Sequence, residues 1–230
     1  MEHNENNYLE QKVTLASHTS KTFAWMFFGL MVTFILAYTS YSTGFIIQIF
    51  NIPGMIYILP LAEILLVIVL SSRIHKLSVV AANSIFFVYA VLNGLTFSVY
   101  FLIYEVTSMI YVFGATACLF GAMALYGYFT KSDLYKWKPI LIFGLITLIG
   151  FWIFSLFINL SQFETIICIL GIVIFIGFTA YDTQKIKQYY VMYSNDQQML
   201  EKASIFSALQ LYLDFINLFI YLLRILGKRK

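Results

Sequence analysis

SIFSALQLYLDFINLFIYLL, residues 204–223, is long and apolar enough to cross a bilayer, yet Asp214 sits near its middle with Gln210 and Asn217 close by. About 20 apolar residues span roughly 30 Å of hydrocarbon. Spacings of four and three place Gln210, Asp214 and Asn217 on one face of a helix. A carboxylate facing lipid costs about 2.5–3.5 kcal/mol even on mild insertion scales. The stretch therefore predicts a helix inside a bundle, with its polar face turned to a partner or to water. The other helices are its wall.

The 230 residues are 61% hydrophobic, 19% aromatic and 11% charged. A water-soluble fold needs about 25% charged residues to cover itself, so a soluble domain is excluded. What remains is an all-α, multi-pass integral membrane protein with one transmembrane domain, 22–230, behind a polar tail at 1–21. That tail holds Glu2, His3, Glu5, Glu10, Lys12 and His18. It lacks the pattern of a cleaved signal peptide, so the first span is expected to insert uncleaved. Cys118 and Cys168 fall inside spans, which suggests neither a disulfide framework nor a metal cluster. No cofactor is expected, and the net charge of +3 does not point to nucleic acid because the basic residues fall in the links.

Seven spans follow from the apolar runs: Phe23–Ser42, Gly54–Ser72, Asn83–Tyr104, Ser108–Thr130, Pro139–Ile158, Thr165–Asp182 and the opening stretch. The link Thr43–Pro53 reads as a short uncharged connection, and Tyr189–Lys202 as a long polar loop. Ala117 and Gly121 in the fourth span have the small-xxx-small spacing that lets helices approach closely. The aromatic excess is expected mainly on the lipid-facing surface. The amino-terminal tail and alternate links hold Lys12, Lys21, Arg73, Lys76, Lys131, Lys136, Lys138, Lys185, Lys187 and Lys202, whereas the intervening links hold no lysine or arginine. That bias predicts a cytoplasmic amino terminus. Arg224, Lys228, Arg229 and Lys230 break it if the seventh span crosses fully. Either the basic tail lies outside, or the last span stops short; seven full spans are the favoured reading.

The ionisable residues within or beside the spans are Glu63, Asp182, Asp214 and, at the end of span two, Arg73. Asp214 lies about ten residues into its span, roughly 15 Å deep at 1.5 Å per residue. If span six continues a turn past Asp182, the two carboxylates reach one depth. Such a pair would share a proton, a proton-operated latch, and its oxygens also suit calcium. The bland alternatives are a solvated helix end for Asp182, an inter-helix hydrogen bond for Asp214, and a bonded partner near the Pro60 kink for Glu63. Arg73 is explained equally well as an anchor at the membrane edge. The polar patch Asn93, Thr96 and Ser98 reads as packing glue.

Several stretches are similar to the Bax inhibitor-one family, and most closely to its bacterial YetJ-like members. The most specific are GFTAYDTQKI at 177–186 and LYLDFINLFIYLLRILG at 211–227; ALYGYFTKSDL at 124–134, NGLTFS at 93–98 and WMFFGLMVTFILAY at 25–38 support them. The resemblance runs from Thr22 to Gly227. It implies seven helices with the last one central and wrapped by the other six, and a pH-sensitive calcium leak across the membrane. It implies that Asp182 and Asp214 form a hydrogen-bonded pair, and that an arginine of the second helix latches onto the first of them. Arg73 is the nearest match, with Lys76 a turn further on, and Glu63 matches an acidic position of the same helix. The loop Tyr189–Lys202 is a departure from the family pattern.

Three functions compete. The first is a passive, proton-gated calcium leak, with Asp182, Asp214 and Arg73 as gate and Glu63 on the ion pathway, in a bacterial inner membrane. The second is an aspartyl intramembrane protease of presenilin type. Two aspartates in spans six and seven suit it, but LYLDF lacks the glycines expected around the second, and a non-enzyme is the favoured reading. The third is a non-transporting regulator that binds a membrane protease or cell-death partner.

Overall fold

The computed structural model describes residues 13–155 and 157–230. Glu2, His3, Glu5, Glu10 and Lys12 lie outside the described residues. The described chain is helical, with α1 Leu15–Ser42, α2 Phe45–Phe50, α3 Met55–Arg73, α4 Val79–Ile103, α5 Val106–Phe129, α6 Lys138–Ser155, α7 Glu164–Tyr193 and α8 Gln197–Leu226. Seven of these are long and apolar enough to cross a membrane; the six-residue α2 is not. It occupies the link read as a plain connection. Gly44 and Gly54 bracket it at φ 72° and 82°, a left-handed backbone that glycine enters without steric cost.

Two further elements differ from expectation. Helix α1 starts at Leu15, well ahead of the apolar run, because Thr14 caps it by accepting the Ser17 N–H at 3.2 Å. The long polar loop is absent: α7 continues to Tyr193 and α8 begins at Gln197. Asp196 ends the interruption by accepting the Met199 N–H at 2.9 Å. The polar residues counted as loop are the first turns of α8, where Lys21 and Glu201 pair at 3.0 Å.

Helix α8 is the core. Buried residues make up 67% of its apolar window, against 11% for α3 and for α6. Its wall has two tiers: α1, α4, α5 and α7 pack on α8, while α3 rests mainly on α4 and α6 on α7. Many aromatics are lipid-facing, but the core takes a large share. Phe34 meets Phe97, Phe113 and Phe219 edge-on at 4.7–5.8 Å between ring centres, the geometry that the ring quadrupoles favour. The small residues Ala117 and Gly121 form no tight seam. They line an apolar groove of about 720 Å³ between α1 and α5.

Helix α8 runs from one end of the bundle to the other. Its last residues dock on the links between α4 and α5 and between α6 and α7, opposite the face that carries the α7–α8 turn. The Glu105 N–H donates to the Lys228 carbonyl and the Lys230 N–H to the Ile103 carbonyl, each at 2.9 Å. Lys228 pairs with Glu105 at 2.9 Å, Arg224 and Arg229 with Glu164 at 3.0 and 3.5 Å, and the Lys230 ammonium donates to the Phe101 carbonyl at 2.7 Å. The basic tail thus meets two carboxylates and a helix carbonyl end, which favours cations. Cysteines replacing Lys131 and Lys230 are expected to react with a membrane-impermeant maleimide from opposite sides. Labelling of both from one side would mean that α8 does not cross.

Candidate functional site

Helices α7 and α8 build the site together. Thr179 and Thr183 return their hydroxyls to the carbonyls of Phe175 and Thr179 at 2.8 and 2.7 Å, so these polar residues fit an apolar helix. The rest of the AYDTQKIK stretch fixes α7 to its surroundings. The Tyr181 ring lies 5.3 Å from that of Tyr135. Gln184 accepts the Leu134 N–H at 2.9 Å and donates to the Ser132 carbonyl at 2.8 Å, and Lys187 donates to the Tyr128 carbonyl.

Those anchors hold Asp182, 5% exposed, near enough to Asp214, 4% exposed on α8, for the Asp182 charge to act on Asp214. Asp182 Oδ1 and Asp214 Oδ2 have no hydrogen-bond donor among the described residues. The hydrogen bond implied between them requires a proton on one carboxyl. The cation at hand is Lys185, one turn along α7, with Nζ 3.8 Å from Asp182 Oδ1. The same ammonium donates to Gln210 Oε1 at 3.3 Å and lies 5.3–5.7 Å from the ring centres of Tyr181, Tyr189 and Phe206. One ammonium for two carboxylates leaves the pocket a positive charge short, which a proton or a second cation can supply. A cavity of about 250 Å³ at the end of the bundle that carries the α3–α4 and α7–α8 turns is lined by Ser71, His75, Tyr193, Met199 and Lys185 itself.

Arg73 and Lys76 are exposed at the end of α3 and form no ion pair with a described residue. Asn217 donates to the carbonyl of Leu213 in its own helix and stays out of the pocket. Glu63 belongs to a separate network. Thr96 donates to it at 2.6 Å and Asn93 at 3.2 Å; the Tyr212 hydroxyl donates to Asn93 Oδ1 at 2.9 Å and lies 2.6 Å from the Thr33 hydroxyl. Tyr212 and Asp214 are two residues apart, about 200° around the helix, so α8 carries polar groups on opposite faces. Lys185 and Tyr212 are the residues that sequence reasoning missed. A lysine one turn past Asp182 is legible as an i,i+3 partner, but by charge bias alone it reads as a link residue. Nothing in the sequence marks Tyr212 among seventeen tyrosines.

A family model described as "Inhibitor of apoptosis-promoting Bax1" matches residues 15–230. The chain belongs to the Bax inhibitor-one family. It is 38% identical over 229 residues to the "Inner membrane protein YbhL" of Escherichia coli, covering 96% of each chain. An uncharacterized protein of Borreliella burgdorferi is 38% identical over 212 residues, covering 92% of this chain and 91% of that one. One from Deinococcus radiodurans is 36% identical over 213 residues, covering 91% and 90%. Membership accords with the seven-helix architecture: this is an integral, multi-pass member of the family. The set of buried carboxylates is small for a resident metal: among the described residues, no three His, Cys, Asp or Glu side chains group together. Calcium prefers six to eight oxygens, and two carboxylates supply at most four.

Proposed function

We propose that this protein is a pH-sensitive calcium leak of a bacterial inner membrane, with its amino terminus in the cytoplasm, and is not an enzyme. The observation that carries this reading is the pair of buried carboxylates, each with an oxygen that has no donor among the described residues, next to Lys185, which lines a cavity. Buried ionisable groups inside a membrane bundle are costly and mark ion or proton routes. In this reading calcium is the transported ion and passes Asp182 and Asp214, and Glu63 lies on its route through the bundle. Arg73 swings in from the end of α3 to latch Asp182 when the path is shut, with Lys76 next in line. Taking up a proton alters the charge of the pair and changes the gate.

The test is calcium flux into dye-loaded liposomes containing the purified protein, scanned across pH, with wild type beside Asp182→Asn. A pH-dependent flux is expected in wild type, and the substitution should remove that dependence because amide and carboxyl differ in their ability to ionise. Flux with the same pH profile in the variant would sink the gate, and no flux at any pH would sink the leak. The second reading, a regulator that binds another membrane protein, would then be favoured by the apolar groove between α1 and α5, where a Cβ at Gly121 would meet no described residue within 4 Å.

A further inference from the structure

We infer that Lys185 is the tethered counter-ion of the carboxylate pair and competes with a permeating divalent cation for the same oxygens. This rests on the reading of Asp182 and Asp214 as a cation site. Three observations support it. The Lys185 side chain is only 16% exposed and is the one cation within ion-pair distance of either carboxylate among the described residues. Its ammonium is held from several directions, by Asp182, by the Gln210 amide oxygen and by three aromatic rings that favour a cation over their faces. The side chain also lines the cavity beside the α7–α8 turn, so it links that cavity to Asp182.

A lysine suits this role. Its ammonium is a compact point charge on a flexible four-carbon stem, and the stem is fixed to α7 one turn from Asp182. It can give way to an incoming cation by moving along the cavity without leaving the helix. Arg73 starts from an exposed position on a different helix; Lys185 is already in place. The resident charge on this pair therefore comes from α7 itself.

The experiment is terbium binding, as a calcium surrogate, to the full-length protein in detergent, read by luminescence sensitised through tyrosine. Lys185→Met is expected to bind terbium about tenfold tighter than wild type, because an attached positive charge about 4 Å from the site no longer competes. Lys185→Arg should stay near wild type, and adding Asp214→Asn to Lys185→Met should abolish the gain. Unchanged or weaker binding in a folded Lys185→Met protein would overturn the proposal. If that variant fails to fold, the wild type decides by amine labelling and mass spectrometry. Terbium should speed labelling of Lys185 and leave Lys131 unchanged; no change at Lys185 would overturn the proposal. The outcome is separable from that of the leak. Tighter binding without liposome flux keeps Lys185 and discards the leak, and flux with unaltered binding does the reverse.

Discussion

Gly127→Ala is expected to lower stability by about 3 kcal/mol or more, read as a large drop in the thermal unfolding midpoint of the purified protein. A methyl group at Gly127 would run into the Ala180 carbonyl, 2.8 Å from both the carbonyl carbon and the Cα. The obstacle is backbone of α7, so no rotamer change relieves it; α5 and α7 must separate. Ala180 is fully buried and two residues from Asp182, so the displacement should also disturb the carboxylate pair. Gly121→Ala is the control. Among the described residues a Cβ there meets nothing within 4 Å, and its unfolding midpoint should match wild type. Equal midpoints for the two variants would show that the α5–α7 approach is looser than described.

Tyr212→Ala is expected to cost about 3 kcal/mol, and Tyr212→Phe only about 1 kcal/mol. Tyr212 is fully buried at the centre of α8, with its ring edge-on to Phe86 and Tyr89 at 6.1 and 5.5 Å. Lipid is as apolar as the core, so little transfer energy is at stake in the bilayer; the loss is packing contact and the cavity left behind. Removing the hydroxyl takes the donor from Asn93 Oδ1, and such inter-helix hydrogen bonds in membranes are individually modest. Packing should therefore outweigh the hydroxyl about threefold on these estimates. Equilibrium unfolding of both variants checks the ratio. If Tyr212→Phe were as damaging as Tyr212→Ala, the polar network from Glu63 to Thr33 would be the main stabiliser of this region.

Much of the architecture was legible because a bilayer leaves few options. Apolar runs of about 20 residues must be helices when no water is present to satisfy the backbone, and the mid-span Asp214 marked α8 as the inner helix. The turn at 194–196 was not legible. Polar residues after Tyr189 read as loop by composition, but helix formation there depends on a cap at Asp196 and on packing against α1, which composition does not record. Ala117 and Gly121 misled for a related reason: small residues permit close approach, but only a partner helix makes use of it. The contact fell at Gly127, where α7 arrives.

The sequence by itself determined the membrane class, the seven crossings and the presence of carboxylates in spans six and seven, since those follow from hydropathy, length and the cost of burying charge. Only the tertiary structure decided what surrounds them. Lys185 became the neighbour of the pair, Arg73 was left at the exposed edge, and Glu63 joined Asn93 and Tyr212 on the other side of α8. Such pairings depend on how each helix is rotated about its own axis, which is set by packing among several chain segments at once and by no single stretch of residues.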